Sequence, residues 1–474
     1  MAGHTYRLWV TPSLLIILTA SHICAQIQTG LSKSEKQLVP STTSTKLPAG
    51  KKGCTSVCYA LTQYGGPYAE FPTNPGYGIF YSLIGDRESI VHPFGAAGDG
   101  IGPNGNLAED ASGDLYGVTM SGGSNGTGTA FELDSSGNYS VIKNFPAPSE
   151  NISVPFGGLV SDANGNLYGT ISQAPIVAPP NSGGIFELTL SGGVWMGYVI
   201  YSFCYEFDCT DGQYPTGGLA IDSSGNLYGT TDRGGTNAFG TVFELGPEPP
   251  SGCPSGSIEE YTGWCQTVLY NFCSQGSCTD GSEPLSGVVL HNGSLFGTAS
   301  EGGSSLCYCG VLYQLSPNGS NGWTYNVIHT FMGVDGANPA GELVFDSVGN
   351  LYGTTRDGGI PTGCVLPTYL VLALSSGCGT VFEWSSTQTF SVPYRFAGGL
   401  DGAYPNEEMT VDSSGNLYGA TYAGGGTGCF QAGCGTAFKL TPLAGGLWAE
   451  SIKYNFNLEN GSTGALPSSG LKPR

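Results

Sequence analysis

A four-residue element occurs six times along the chain, and this repetition constrains the fold more than any other feature of the sequence. Each copy reads x-Leu-Tyr-Gly or, once, Ser-Leu-Phe-Gly, and the copies occupy residues 114–117, 166–169, 226–229, 294–297, 350–353 and 416–419. Their leucines are separated by 52, 60, 68, 56 and 66 residues. Units of this length fit four-stranded blades of a β-propeller with loops of variable length.

Each unit divides into four strand-like pieces, which we name a, b, c and d. Residues 218–222, 226–231 and 240–245 are examples of a, b and c, and residues 264–272 are an example of d. The turn between a and b is Asp-Ser-Ser-Gly at 222–225, in which the Asp carboxylate can cap the turn and Gly can adopt a positive φ. The pattern predicts consecutive antiparallel strands.

Piece d begins at a Trp and ends at a Phe eight residues later. The pairs are Trp195 and Phe203, Trp264 and Phe272, Trp323 and Phe331, and Trp448 and Phe456. Even spacing puts both rings on the same face of a strand, which helical spacing would not do. We therefore interpret the Trp positions as packing between blades and not as a ligand site.

The two ends of the chain carry complementary fragments of one unit. Pieces b, c and d without a occur near the N-terminus, with piece c at 78–83, and the start of an a piece occurs at 467–471. The sequence thus predicts an all-β fold: a single propeller, most simply with seven four-stranded blades, closed by N-terminal strands b, c and d with a C-terminal strand a. Closure removes exposed sheet edges. A six-bladed ring with loose ends is the alternative.

Residues 226–245 resemble the signature of the GloVer-type tandem repeat family of exported bacterial proteins. The signature comprises a Gly-Asn-Leu-Tyr-Gly-Thr-Thr strand, a Gly-Gly loop and a Gly-Thr-Val-Phe-Glu-Leu strand. The resemblance covers nearly everything after residue 54. It implies a repeat fold and export, but no established activity. A weaker similarity to NHL-type and streptogramin-lyase-like propellers depends on generic blade chemistry.

The N-terminus and the charge predict where the protein acts. Residues 1–25 have the charged start, apolar stretch and small-residue end of a secretory signal, residues 26–53 are expected to form a flexible linker, and residues 54–474 form the propeller domain. We expect secretion or residence in the cell envelope, extracellular or periplasmic, with no membrane span and a monomeric state. A formal net charge of −21 argues against nucleic acid as a partner.

The cysteines indicate structural disulfides. Of 15 Cys, removal of Cys24 with the signal leaves an even number in an exported chain. Zinc is the alternative, but neither a Cys-x-x-Cys pair nor a nearby His supports it. Cys307 and Cys309 are left without an assigned partner. The predicted local pairs are Cys54 and Cys58, Cys204 and Cys209, Cys253 and Cys265, Cys273 and Cys278, Cys364 and Cys378, and Cys429 and Cys434.

Most of these cysteines lie in d–a and b–c loops, which emerge on one face of a propeller. Loops stiffened by disulfides and bearing amphipathic aromatic rings suit a recognition surface, although the rings could equally cover the blade ends. The candidate ligand-binding residues are Tyr205, Phe207, Tyr214, Phe239, Tyr308, Tyr404 and Phe430.

The sequence indicates no catalytic residues, no resident metal and no cofactor. His92, His291 and His329 are isolated along the chain, and the aspartates of the recurring Asp-Gly-x-x-Pro loops are interpreted as turn formers, with Ca²⁺ ligation as the alternative. We expect non-enzymatic recognition of an extracellular or envelope protein or glycan. The alternatives are a lyase- or lactonase-like enzyme that uses the central channel and a purely structural role in the envelope.

Overall fold

The computed structural model describes residues 57–67, 76–85, 87–146, 153–173, 182–254, 256–259, 262–319, 322–359, 364, 377–426, 429, 433–457 and 464–473. The predicted signal peptide and linker, at 1–25 and 26–53, lie outside these residues and stay predictions. The described residues belong to the unit formed by residues 48–365 and 373–474.

The described strands form seven antiparallel sheets, which confirms the seven-bladed propeller. Blade 1 contains β1 (Cys58–Gly65), β2 (Ile79–Ile84), β3 (Arg87–Pro93), β31 (Gly464–Pro467) and β32 (Lys472–Pro473). Blade 2 contains β4 (Gly100–Glu109), β5 (Leu115–Gly122), β6 (Thr129–Leu133) and β7 (Tyr139–Asn144). Blade 3 contains β8 (Ser153–Pro155), β9 (Val160–Ser161), β10 (Leu167–Gln173), β11 (Gly184–Ser191) and β12 (Val194–Ser202).

The remaining four sheets follow the same a, b, c, d order from the inner to the outer strand. Blade 4 contains β13 (Ala220–Ile221), β14 (Leu227–Thr231), β15 (Thr241–Pro247), β16 (Ile258–Glu259) and β17 (Trp264–Asn271). Blade 5 contains β18 (Val289–His291), β19 (Ser294–Ala299), β20 (Val311–Pro317) and β21 (Trp323–Thr330). Blade 6 contains β22 (Ala337–Pro339), β23 (Val344–Phe345), β24 (Leu351–Asp357), β25 (Thr380–Trp384) and β26 (Phe390–Arg395). Blade 7 contains β27 (Thr410–Val411), β28 (Leu417–Thr421), β29 (Thr436–Pro442) and β30 (Trp448–Asn455).

Helical structure in the described part of the chain is limited to three short 3-10 turns in d–a loops: Phe207–Cys209, Gly276–Cys278 and Gly399–Asp401. No helix among the described residues is long and apolar enough to cross a membrane.

The chain ends close blade 1 as the partial repeats predict. Strand β31 pairs with β1 through Thr62 opposite Pro467 and Tyr64 opposite Ala465, and β32 pairs with the start of β1. The inner strand is longer than the predicted 467–471 and is split in two. Between the two parts, the Leu61 N–H donates to Ser469 Oγ at 2.9 Å, so a side chain replaces one backbone acceptor of the ladder.

Aromatic pairs hold neighbouring blades together. The last Phe of each d piece contacts the ring in piece c of the next blade, with centroids 5.0 to 5.5 Å apart, and the seventh pair, Phe456 with Tyr81, closes the ring. Each Trp that begins a d strand lies edge-on to a Tyr of the preceding blade, as Trp264 does to Tyr168 at 5.9 Å. The four Trp therefore pack between blades, as expected.

A second contact recurs at all seven junctions. Each a piece begins with a left-handed residue followed by Pro, and the N–H of that residue donates to a carbonyl of the preceding blade; for Tyr214 the acceptor is Ser182 O at 2.7 Å. The Pro packs on a Gly of the preceding blade, where a Cβ would meet Pro Cδ at 2.4 to 3.0 Å. The seven left-handed residues are Gly102, Val154, Tyr214, Glu283, Asn338, Tyr404 and Leu466.

Ending the chain at residue 463 should unfold the whole propeller and not merely fray it. The truncation exposes the inner edge of β1 and removes β31 and β32, which hold blade 1 to its neighbours. We expect a large fall in the calorimetric melting temperature of the mature protein. A chain lacking residues 26–47 serves as the control and should melt like the parent, and an unchanged melting temperature for the 463 truncation would refute closure by the ends.

Gly240→Ala should destabilise the protein far more than Gly225→Ala. Both glycines have positive φ, +97° and +86°, so both variants carry the strain of a left-handed alanine, about 1 kcal/mol. Only at Gly240 would the Cβ also meet Thr231 O at 2.3 Å and Pro284 Cδ at 2.7 Å. We expect a further loss of about 1–3 kcal/mol in the free energy of unfolding, measured in denaturant. Equal losses would mean that the Gly–Pro contact does not hold blades 4 and 5 together.

Candidate functional site

The blades are built alike, so the residues that differ between blades are the ones that can distinguish a ligand. Two groups of such residues lie along the central channel. One is at the mouth on the face of the d–a and b–c loops, where the b strands end. The other lies deeper, midway along the a pieces.

The mouth group consists of charged side chains from blades 4, 5 and 6. Arg233 Nη2 lies 3.3 Å from Glu283 Oε1, and Arg233 Nε lies 3.5 Å from Asp232 Oδ2. Arg356 Nε pairs with Asp357 Oδ2 at 2.9 Å. Elsewhere the positions of Asp232 and Arg233 hold different residues, such as Gln63 with Tyr64 in blade 1 and Tyr422 with Ala423 in blade 7. The mouth group is therefore particular to one side of the ring.

Burial makes this group electrostatically unusual. Burial and the Glu283 charge raise the pKa of Asp232 to about 7, although Arg233 opposes the shift. Burial also raises the pKa of Glu283, and burial with the Glu283 charge raises that of Glu301. Asp232 Oδ1 is buried, and no described residue donates a hydrogen bond to it. The mouth thus combines two guanidinium groups with carboxyl groups whose pKa values are raised, a pattern common at functional sites.

The deeper group consists of one residue from each a piece. This residue lies at or near the second position before the short strand that the a piece forms. In the seven blades the equivalent residues, each followed by a buried or partly buried Leu, Val or Met, are Asn106, Gly158, Gly218, Gly287, Glu342, Glu408 and Gly470. Glu342 reaches across the channel: its Oε2 accepts from Asn106 Nδ2 of blade 2 at 2.9 Å and its Oε1 accepts from the Gly218 N–H of blade 4 at 2.7 Å. The Gly470 N–H donates to Asn106 Oδ1 at 3.1 Å.

These carboxyls are held in an environment that opposes ionisation. Burial and the charges of Glu342 and Glu408 raise the pKa of Glu407 to about 8. Burial and Glu342 raise the pKa of Glu408 to about 8, against the attraction of Lys472. Burial also raises the pKa of Glu342. The channel therefore contains three neighbouring carboxyl groups, Glu342, Glu407 and Glu408, whose pKa values are all raised by burial.

The structure brings only some of the sequence-predicted aromatic residues to the mouth. Tyr214 and Tyr404 are two of the left-handed residues that begin a pieces, and burial and the Asp357 charge raise the pKa of Tyr404 to about 12. The Phe239 carbonyl accepts from the Glu283 N–H at 3.0 Å, and its ring is 40% exposed. Tyr205 and Tyr308 lie on loops farther out. The Phe207 side chain and Phe430 fall outside the described residues, so their roles stay predictions.

The disulfides are concentrated around this face. The structure joins Cys204 to Cys209 and Cys273 to Cys278 in d–a loops, Cys307 to Cys309, Cys364 to Cys378 and Cys429 to Cys434 in b–c loops, and Cys253 to Cys265 near the opposite face. Cys307 and Cys309, which the sequence left without partners, are paired with each other. Cys54 lies outside the described residues, so its pairing with Cys58 stays a prediction.

The recurring aspartates of the d–a loops act as loop anchors. Tyr201 Oη donates to Asp211 Oδ2 at 2.9 Å, and Asp211 Oδ2 also accepts from the Tyr205 N–H. His329 occupies the corresponding place in blade 5, with Nε2 2.9 Å from Asp335 Oδ2. His329 is thus isolated in sequence but not in space. Among the residues that the structure describes, no three His, Cys, Asp or Glu side chains are arranged to hold a metal ion.

Sequence reasoning missed both channel groups, although a signal for them exists. Aligning the a pieces on their buried Leu or Met places Gly157 and Gly158 of blade 3 at the positions of Glu407 and Glu408 in blade 7. The site is identified by the residues at which single blades depart from the repeat, and not by the repeated residues.

The fold and the channel define a seven-bladed β-propeller with a charged, unrepeated lining. The chain belongs to the Gloeobacter/Verrucomicrobia repeat family, whose sequence profile matches residues 47–243 and 181–366. No curated protein sequence is significantly similar to the chain.

The chain is similar to several solved structures. A hypothetical selenium-binding protein from Sulfolobus tokodaii is similar with a TM-score of 0.50 at 10% identity, covering 87% of this chain and 91% of that one. A puromycin-hydrolyzing peptidase from Mycobacterium tuberculosis gives 0.48 at 10% identity, covering 81% of this chain, which spans 51% of the peptidase. An oxidoreductase (glucose dehydrogenase) from Thermus thermophilus gives 0.38 at 14% identity, covering 71% and 95%. At these identities the likeness concerns the fold alone.

Replacing Glu407 or Glu408 by Gln should stabilise the protein at high pH. Because the folded-state pKa of each is raised from 4.5 to about 8, the folded protein binds more protons than the unfolded chain between these values, and stability falls as pH rises through this window. Glu407→Gln and Glu408→Gln should flatten that fall in denaturant unfolding at pH 5, 7 and 9. The exposed Glu206→Gln is the control, and variants that keep the parent's full pH dependence would refute the prediction.

Proposed function

We propose that the protein is exported and acts as a recognition module, binding an extracellular or envelope protein or glycan at the channel mouth. The observation that carries this proposal is the unrepeated mouth group, Asp232, Arg233, Glu283, Glu301, Arg356 and Asp357, in blades that are otherwise alike. Seven equivalent blades would give a ligand seven equivalent surfaces, whereas this group gives one side of the ring its own chemistry.

Three further features support recognition at this face. The surrounding loops are closed by five of the six disulfides, which limits the conformational entropy lost on binding. Phe239, which is 40% exposed, borders the mouth group, since its carbonyl accepts from the Glu283 N–H. Arg and Tyr are enriched at the centres of protein interfaces. Six disulfides also suit an oxidising, extracellular environment.

A second function, catalysis at the mouth, is favoured by Asp232 alone. A carboxyl with a pKa of about 7 can act as a general acid or base near neutral pH, and Arg233 beside it could stabilise an anionic intermediate. This arrangement suits a lyase- or lactonase-type reaction. Recognition remains the leading proposal because no second group is placed as a nucleophile beside Asp232 in the described residues.

Variants that replace a charged side chain of the mouth group by a neutral one should weaken binding without unfolding the protein. Probing a glycan array and an immobilised set of envelope proteins with the mature chain would identify ligands, and titration calorimetry would then compare variants. Arg356→Gln and Glu301→Gln should weaken binding by about tenfold or more. Lys439→Gln is the matched control, because Gln314 holds the same position in blade 5, and it should bind like the parent. Equal affinity for all three variants would refute binding at the mouth.

A variant of Asp232 distinguishes recognition from catalysis. Recognition predicts that the mature protein does not turn over lactones, esters or glycosides that bind it. Catalysis predicts turnover that Asp232→Asn abolishes while binding persists.

A further inference from the structure

A groove between blades 6 and 7 opens on the opposite face, where the a–b and c–d loops lie. Its volume is about 290 Å³, near the lower end of ligand pockets, which span about 300–1,000 Å³. Blade 6 lines it with Asp346, Tyr352 and Glu383, and blade 7 lines it with Leu443, Leu447 and Trp448. One wall is thus polar and the other apolar.

The polar wall has more hydrogen-bond acceptors than donors. Asp346 already accepts three hydrogen bonds from its own turn: Oδ1 accepts from the Val348 and Asn350 N–H groups, and Oδ2 accepts from Asn350 Nδ2 at 2.8 Å. Tyr352 Oη lies 3.3 Å from Asp346 Oδ2 and 3.4 Å from Glu383 Oε1. A hydroxyl has one hydrogen to donate, so it cannot serve both carboxylates fully.

The Tyr352 hydroxyl stays protonated, because burial and the charges of Glu383 and Asp346 raise its pKa. Glu383 Oε2 accepts from Ser391 Oγ at 3.1 Å. The donor near Glu383 Oε1 is the Tyr352 hydroxyl, whose single hydrogen is also within reach of Asp346. A ligand that brings hydroxyl donors to Glu383 would complete this network. A carboxylate acceptor makes hydrogen bonds about twice as strong as those between neutral groups.

The apolar wall suits a ring with C–H faces. Trp448 is only partly buried, and Tyr352 fixes its orientation edge-on, with centroids 6.0 Å apart. Leu443 is 50% exposed and Leu447 is 66% exposed, so both present apolar surface beside the indole. A pyranose ring combines apolar C–H faces with equatorial hydroxyl donors, which matches the two walls.

We propose that this groove binds a neutral saccharide, stacked on Trp448 and donating a hydroxyl hydrogen to Glu383. Acidic sugars are excluded by the carboxylates in the groove and by the net charge of −21. The site is independent of the channel mouth, which lies on the other face.

Titration calorimetry of the mature protein with hexaoses of glucose, xylose and N-acetylglucosamine tests the proposal. At least one hexaose should bind, and Glu383→Gln should weaken its binding tenfold or more, because the amide replaces the carboxylate acceptor. Leu447→Glu, which alters an exposed side chain and should leave the fold intact, should weaken it similarly. Trp448 fluorescence should report the same titration.

The matched control is Glu244→Gln, which makes the same change in the equivalent network of blade 4, where Tyr228 and Asp222 repeat the arrangement. Glu244→Gln should bind the hexaose as the parent does, whereas loss of hexaose binding in Arg356→Gln would assign the saccharide to the mouth and overturn the proposal. The proposal is overturned if no hexaose binds at millimolar concentration, if Glu244→Gln weakens binding as much as Glu383→Gln, or if choline binds in place of a saccharide.

Discussion

The junction between consecutive blades is the contact on which the rest of this structure depends. At every junction a left-handed residue donates its N–H to a carbonyl of the preceding blade, the Pro after it packs on a Gly, and the last Phe of one blade contacts a ring of the next. The three contacts involve adjacent backbone and side chains, so each fixes the geometry of the others. These contacts hold each blade to the next one. The ring closes because the seventh junction makes the same contacts as the other six.

That junction also explains where the chain can vary. The left-handed residue is held by its backbone, so its side chain is free to differ, and it does: Tyr214, Glu283 and Asn338 occupy equivalent places. Glycine would adopt this conformation without strain, as Gly102 does, whereas each other side chain costs about 1 kcal/mol or more. Six blades nevertheless keep a side chain there, and two of these side chains, Tyr404 and Leu466, pack against core clusters.

Much of the fold could be predicted from the repeat, because packing imposes the same demands on every blade. The Trp264 and Phe272 spacing and the partial units at the chain ends specified strands, blade number and closure. The pairing of Cys307 with Cys309 could not be predicted, since it depends on how one loop turns. The channel residues were also missed: Glu342 becomes notable only when the fold places it opposite Asn106, 236 residues away in sequence. The repeat therefore predicts the structure that all blades share, but it does not predict the residues at which single blades differ.

The exceptions share one physical property, which is that they cost stability. Glu407 and Glu408 could be glycine or serine, as the equivalent residues Ser469 and Gly470 are, with no loss of any described backbone contact of the junction. Instead, burial and the charges of neighbouring carboxyl groups raise their pKa values to about 8, so stability is lost as pH rises from 4.5 through 8. Asp232 does the same at the mouth, where Arg233 compensates only part of its charge. Under the proposed recognition function, a ligand that donates a hydrogen bond to the buried Asp232 Oδ1, which accepts none from the described residues, would offset part of this cost at the mouth.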